Sequence, residues 1–245
     1  MEKVSLITIS LNSQKTIQNT FESVNDQSIK NIEHILIDGG SIDNTIHIAK
    51  QFSHINKIIS EPDKGIYDAM NKGIKNSNYD IIGFLNSDDQ FFDHNSLSLI
   101  TNHFNEDIDC VFGDLIYTDS NNKIKRFWQG SDYKQGLFKK GWMPAHPTFY
   151  CRRSVYELFG LYDKSFKIAG DFELMMRFLE KHRIKSKYIP KTLVNMKIGG
   201  VSNRSLKSKL DILKEEFRAF EQNGFKINKL SYIYNKSKKI KDFKF

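Results

Sequence analysis

Two adjacent carboxylates, Asp88 and Asp89, close the apolar run Ile81-Ile-Gly-Phe-Leu85 by way of Asn86-Ser87. Neighbouring carboxylates repel each other and are costly to desolvate together. A divalent cation or a set of ligand donors is the usual reason to keep such a pair at the end of a core segment. A solvated turn capping the next helix satisfies the same residues, and Asp-Asp by itself does not separate the two readings. Asp38 stands in the same position after Ile32 to Ile37, followed by Gly39-Gly40, which frees the backbone for a tight turn or for close approach to a ligand. Asp171 stands at the amino end of an apolar pattern through Phe172, Met175 or Met176, and Leu179, the place of a helix cap. His146 and Trp142 lie in the proline-bracketed stretch Gly141-Trp-Met-Pro-Ala-His-Pro-Thr148, and the other six histidines form no constellation. No Ser-His-Asp or Cys-His order points to covalent catalysis.

The elements that must position these residues follow from the apolar periodicity. Val4 to Leu11 reads as a strand, and Asn12-Ser13 then offers a helix cap ahead of Ile17, Phe21 and Val24. Strands at Ile32 to Ile37, Lys57 to Ser60 and Ile81 to Leu85 alternate with helical stripes through Ile46, Ala49 and Phe52 and through Ile66, Ala69, Met70 and Ile74. This β-α-β-α-β-α-β order implies an α/β fold with a mainly parallel, Rossmann-like sheet flanked by helices. Asn12, Asp38 and Asp88 then lie along one edge, at the carboxyl ends of the strands, where open α/β sheets bind ligands. Neither Gly-x-Gly-x-x-Gly nor a Walker-type Gly-Lys-Ser/Thr is present. Phosphates therefore have to be held by a metal and single basic residues.

After a helix at Leu97 to Phe104 the texture becomes mixed α+β. Asp109 to Tyr117 and Lys123 to Trp128 flank Asp119-Ser-Asn-Asn122 as a hairpin, and two strand-like runs, Lys187 to Ile189 and Leu193 to Ile198, close the compact part. Leu206, Leu210, Leu213, Phe217 and Phe220 then mark an amphipathic helix.

At 245 residues and 39% hydrophobic content the chain buries a full core. No apolar leader follows Met1-Glu2-Lys3 and no run approaches the ~20 residues that span a bilayer, so the expectation is a cytoplasmic protein. Cys110 and Cys151 sit in apolar segments without metal-ligand spacing and read as buried, reduced thiols. The net charge of +8 is uneven: from Lys226 onward seven lysines face the single acid Asp242, and the remaining chain is nearly neutral. Such a tail suits an anionic membrane surface, nucleic acid or solubility. Nucleic-acid binding is disfavoured, because the body is near neutral and acids line the expected crevice.

Taken together, Val4-Ser-Leu-Ile-Thr-Ile-Ser-Leu-Asn12, Glu22-Ser-Val-Asn-Asp-Gln27, Asp38-Gly-Gly-Ser-Ile-Asp-Asn-Thr45, Glu61-Pro-Asp-Lys-Gly-Ile-Tyr-Asp-Ala-Met-Asn-Lys-Gly-Ile74 and Phe84-Leu-Asn-Ser-Asp-Asp89 resemble, in that order, the family two inverting glycosyltransferases of the Rossmann-like A fold. Ala145-His-Pro147 and Gly170-Asp171 fit as well, and the Glu61 to Ile74 piece is most similar to bacterial exopolysaccharide, capsule or O-antigen enzymes. The resemblance implies a nucleotide-sugar donor, a UDP-sugar first of all, and a glycan or polyprenyl-diphosphate-linked acceptor. It divides the chain into an A-fold domain, 1–204, with a nucleotide-sugar half (1–105) and an acceptor half (106–204), followed by an amphipathic basic extension, 205–245.

Residue by residue, the resemblance assigns Ser10, Asn12 and Asp38 to the nucleoside, with Asp38 hydrogen-bonding the uracil. Lys64 is placed against the phosphates, and Asn71 among the donor contacts. Asp89 would ligate Mn²⁺ or Mg²⁺ on the diphosphate, with Asp88 beside it facing the ribose or donor sugar. Asp171 would be the general base, and His146 and Trp142 would lie on the acceptor side, where a structural role is the alternative for each. The chain departs from the family pattern at Asn86 and at Gly170, where acids are more usual. A sugar nucleotidyltransferase is the nearest rival reading, but its Gly-rich basic loop after the first strand is replaced here by Asn12-Ser-Gln-Lys15. The basic tail is expected to attach the protein to the inner face of the cell membrane.

Overall fold

The computed structural model describes residues 2–198 and 206–239. In chain order its elements are β1 (Val4–Ser10), α1 (Ile17–Asn25), β2 (Ile32–Asp38), α2 (Thr45–Ala49), β3 (Ile55–Ser60), α3 (Ile66–Asn76), β4 (Ile81–Phe84), β5 (Asp89–Phe91), α4 (Ser96–Asn102), β6 (Cys110–Thr118) and β7 (Ile124–Trp128). There follow β8 (Tyr150–Arg152), α5 (Arg153–Phe159), α6 (Gly170–Met176), β9 (Ser186–Lys197), α7 (Leu206–Gln222) and α8 (Lys229–Lys239). One sheet contains all nine strands, in the order β3-β2-β1-β4-β8-β6-β9-β5, with β7 paired to β6.

The first four strands are parallel, as the alternation requires. Every residue of β1 is buried, the signature of a strand covered on both faces. Their register sets Ser10 opposite Asp38 and Asp38 opposite Ser60, so three polar side chains meet at one end of three adjacent strands. The second half of the sheet is joined through the short antiparallel β8, which bridges β4 to β6. Cys110 and Cys151 are register partners there, both buried and free.

Two elements differ from the sequence expectation. Residues 186–197 form one strand in place of two: Pro190 has no N–H for the ladder, and β9 passes it by a register shift opposite Gly113 and Asp114. The short β5, not anticipated, starts at Asp89 itself and pairs with Val194 to Met196 of β9. The acidic pair is thereby stitched into the sheet from both sides.

The segment after residue 205 shares the core of the domain. Phe220 is buried between Phe172 of α6 and Tyr232 of α8, with ring centroids 5.6 and 5.4 Å away. The apolar stripe of α7 is only half inward: Phe220 is buried and Leu213 and Phe217 partly so, whereas Leu210 is 58% exposed. The side chain of Leu206 lies outside the described residues.

On the opposite flank, His34 of β2 is wholly buried. Its Nε2 lies 2.9 Å from the Thr8 hydroxyl, and its ring stacks 5.3 Å from His54. Burial, reinforced by His54, pushes its pKa down to about 3, so the fold accepts only the neutral ring. The unfolded chain takes up this proton near pH 6.5, so the contribution is present above that value and lost as pH falls toward about 3. Thermal melts of wild type should therefore drop across this interval, and His34→Gln should flatten that part of the profile. An unchanged slope would show that the ring titrates normally.

Candidate active site

The ends of β1, β2 and β3 form a braced platform. Asp38 is buried, and its carboxylate accepts from five donors: the hydroxyls of Ser10, Ser41 and Ser60 and the amides of Gly40 and Ser41. Burial alone would raise its pKa, but the bonds from Ser41, Ser60 and Ser10 outweigh it and hold the group below its ordinary value. Asn12, in the left-handed region at φ 51°, donates its amide to the Ser41 hydroxyl (2.7 Å) and accepts from the Ile42 amide (3.0 Å). Ser13 continues the brace to Thr45 and, through its hydroxyl, to Ser87 at 2.8 Å. The loops after β1, β2 and β4 are thus tied together where a donor would lie.

One expected donor contact takes another place. Asn71, on the buried face of α3, bonds the Tyr162 backbone with both ends of its amide (2.9 Å each), so it is a clamp between the halves and not a donor contact. Lys64 is exposed in the loop after β3, and its backbone amide is capped by Asp68 at 3.0 Å.

At the end of β4 the acidic pair is split by burial. Asp88 is half-buried and Asp89 is completely so. Burial pushes both pKa values up. His146 partly offsets this for Asp88, while the Asp88 charge adds to it for Asp89. The Asn86 amide reaches one Asp89 oxygen at 3.4 Å, and the other, Oδ1, has no partner. Asn86 therefore replaces a third negative charge by a weak donor. Among the described residues no group of three or more His, Cys, Asp or Glu side chains is gathered tightly enough to enclose a metal. An unpartnered buried carboxylate oxygen beside a second carboxylate fits a cation that takes its remaining ligands from phosphate oxygens and water, the usual habit of Mg²⁺. Of the two, Asp88 is the more accessible.

Asp171 is the second residue of α6, after the N-cap Ala169, and its Oδ1 accepts the Phe172 amide at 2.8 Å, which leaves Oδ2 for other partners. Its Oδ2 lies 3.4 Å from Nδ1 of His146, both side chains being partly exposed. His146 also acts electrostatically on Asp88, and the buried Tyr117 phenol feels both Asp89 and Asp171. Asp88 and Asp89, His146 and Asp171 are thus brought together from three separate segments. Trp142 is not among them: it is 8% exposed within an aromatic cluster of Phe112, Tyr133 and Phe138, with ring centroids 5.6 to 5.8 Å away, and belongs to the core.

The departure at Gly170 has a steric cause. A Cβ there would lie 2.7 Å from the Tyr67 ring, and the Tyr67 hydroxyl accepts from the Gly170 amide (2.8 Å) while donating to the Ile168 carbonyl (2.7 Å). Tyr67 occupies the space that an acid at 170 would need. Glu215 of α7 fastens the same turn by accepting the amides of Lys167, Ile168 and Ala169. Neither residue was singled out from the sequence; Tyr67 lies within the quoted Glu61 to Ile74 stretch, whereas Glu215 had no local signal.

Residues 5–166 match the description Glycosyl transferase family 2. The chain belongs to this family. This glycosyltransferase is 27% identical over 207 residues to the PGL/p-HBAD biosynthesis glycosyltransferase of Mycobacterium bovis (strain BCG / Pasteur 1173P2), covering 81% of this chain and 78% of that one. Its fold resembles S. aureus TarS 1–349 in complex with UDP-GlcNAc, with TM-score 0.63, 15% identity and coverage of 97% and 71% of the two chains. It also resembles the mannosyltransferase PcManGT of Pyrobaculum calidifontis in complex with GDP-Man and Mn²⁺, with TM-score 0.66, 12% identity and coverage of 96% and 70%. The α/β glycosyltransferase A fold expected from the sequence is therefore the fold of this chain.

Gly170→Ala in this glycosyltransferase should cost about 1–3 kcal/mol in denaturant unfolding, because the added methyl meets the Tyr67 ring. Unchanged stability would show that Tyr67 yields and that the glycine has another origin.

Proposed function

We propose that this glycosyltransferase moves a sugar from a nucleoside diphosphate donor to a hydroxyl of a glycan or polyprenyl-diphosphate-linked acceptor, with inversion and with Asp171 as general base. The observation that carries the reading is the convergence of Asp171 and His146 on the acidic pair at the end of β4. A UDP-sugar is the first donor to test, as TarS was solved with UDP-GlcNAc; GDP-Man in PcManGT makes GDP the second. Asp38 and Asn12 organise the loops that receive the nucleoside, and the nucleobase contact falls to this platform.

Asp88 and Asp89 would hold Mn²⁺ or Mg²⁺, which supplies positive charge at the diphosphate leaving group. Asp88 meets the donor side first, and Asp89 backs it from within the sheet. On the opposite side of the reacting carbon, Asp171 accepts the proton of the acceptor hydroxyl as the new glycosidic bond forms and the carbon–phosphate oxygen bond breaks. His146, 3.4 Å from Asp171, orients that carboxylate. Lys64 is exposed in the loop after β3, where a long cationic side chain can reach a phosphate.

The acceptor side suits an anionic membrane surface. With Tyr232 of α8 facing the core, Leu230 (81% exposed), Ile233 and Tyr234 (59%) share the outward face at helical spacing. Lys229 and Lys238 border this stripe, and residues 226–239 contain five lysines and no acid. No helix among the described residues is long and apolar enough to cross a membrane. A basic helix with an exposed apolar stripe lies in the plane of an anionic interface, where each lysine adds about 1 kcal/mol.

Asp171→Asn should leave the fold and nucleotide binding intact and lower turnover about 10²–10⁴-fold. Near-normal turnover refutes the base assignment. Leu230→Glu/Ile233→Glu should abolish co-sedimentation with anionic vesicles at low salt without changing thermal stability, and retained binding contradicts the membrane face.

A further inference from the structure

We propose that Glu215, on the C-terminal helix α7, is a positioning residue for the transfer reaction, setting the placement of Asp171 by holding the turn that precedes it. The inference rests on the reading of Asp171 as general base. Three successive amides enter the Glu215 carboxylate: Lys167 on Oε1 at 2.9 Å, and Ile168 and Ala169 on Oε2 at 2.9 and 2.8 Å. Amides at a helix start have no intrahelical acceptor, and Ala169, the N-cap, has no side-chain acceptor of its own. The amides of the turn leading into α6 thus find their acceptor 46 to 48 residues away. A carboxylate is also the charge that a helix amino end favours.

The next amide, Gly170, is held by Tyr67 from the nucleotide half, so four consecutive amides before Asp171 are fixed from two opposite sides of the domain. Arg218, one turn along α7 from Glu215, lays its guanidinium 3.8 Å from the Phe166 ring at the start of the same turn. The position of α7 is set in turn by α8: the buried Glu216 accepts from the Tyr232 hydroxyl at 3.0 Å and from Lys236. The backbone that carries the base is therefore not free to settle on its own. It takes its place from a carboxylate belonging to the last helical pair.

A base must stand within hydrogen-bond reach of the proton it removes, and a misplacement of about 1 Å costs on the order of 10²-fold in rate. Glu215→Gln keeps the volume but presents one oxygen and an N–H₂ group to the three amides. In the full chain, with purified acceptor or a soluble mimic, this variant should lower kcat about tenfold to a hundredfold while leaving the donor KM and UDP affinity unchanged. Amide hydrogen exchange should rise at residues 167–169.

The deciding measurement is the double-mutant cycle with Asp171→Asn. If Glu215 acts through Asp171, adding Glu215→Gln to Asp171→Asn causes no further loss. Equal losses in both backgrounds would make Glu215 a general structural residue and overturn the proposal, as would an unchanged kcat in the single variant. Asp171→Asn with near-normal turnover would overturn the base assignment itself, a failure read from that variant alone.

Discussion

Carboxylates are costly to take out of water, and this glycosyltransferase gathers several of them where strands and loops converge. Each is answered differently. Asp38 is compensated entirely by donors of the chain, which leaves it charged and rigid. Asp171 stands beside a histidine. Asp88 and Asp89 remain undercompensated: burial raises both pKa values, and Asp89 keeps an oxygen that finds no donor. A folded chain rarely leaves a buried carboxylate oxygen unpaired without a reason outside itself. A cation shared with a diphosphate is the reason that fits both the chemistry and the position.

The rest of the architecture serves to hold these groups in a fixed relation. Parallel pairing of β1, β2 and β3 aligns Ser10, Asp38 and Ser60, and β5 pins Asp89 into the sheet. Tyr67 and Asn71 of α3 reach across to Ile168, Gly170 and Tyr162, so this helix fastens the turn that precedes Asp171 to the first half of the sheet. The last helices complete the frame from the other side, and Phe220 and Glu215 make them part of the domain.

Much of this was legible in the residues because it is local. Strands buried on both faces read as unbroken apolar runs, and the polar residue that ends each run marks the edge where ligands meet the sheet, which places Asp38 and Asp88 without any coordinates. What was not legible depends on distant partners. Asn71 sits in a quoted stretch beside candidate donor contacts, yet its amide is consumed by a backbone 91 residues away. Trp142 stands four residues from His146 and is nonetheless packed among the rings of Phe112, Tyr133 and Phe138. Gly170 looked like a departure from a catalytic pair until Tyr67 was found in the space an acid would fill. The runs at 187–189 and 193–198 are one strand, because the ladder passes Pro190 by a register shift that has no signature in the apolar pattern.

The central claim is that the undercompensated pair at the end of β4 is completed by a divalent cation and a nucleoside diphosphate together. Calorimetric titration of UDP into the protein, with Mn²⁺ and then with a chelator, tests it most directly. The account predicts binding that requires Mn²⁺ and disappears in Asp89→Ala. Binding of equal strength in the chelator, or in Asp89→Ala, would contradict it, since the buried oxygen would then have no part in holding the donor.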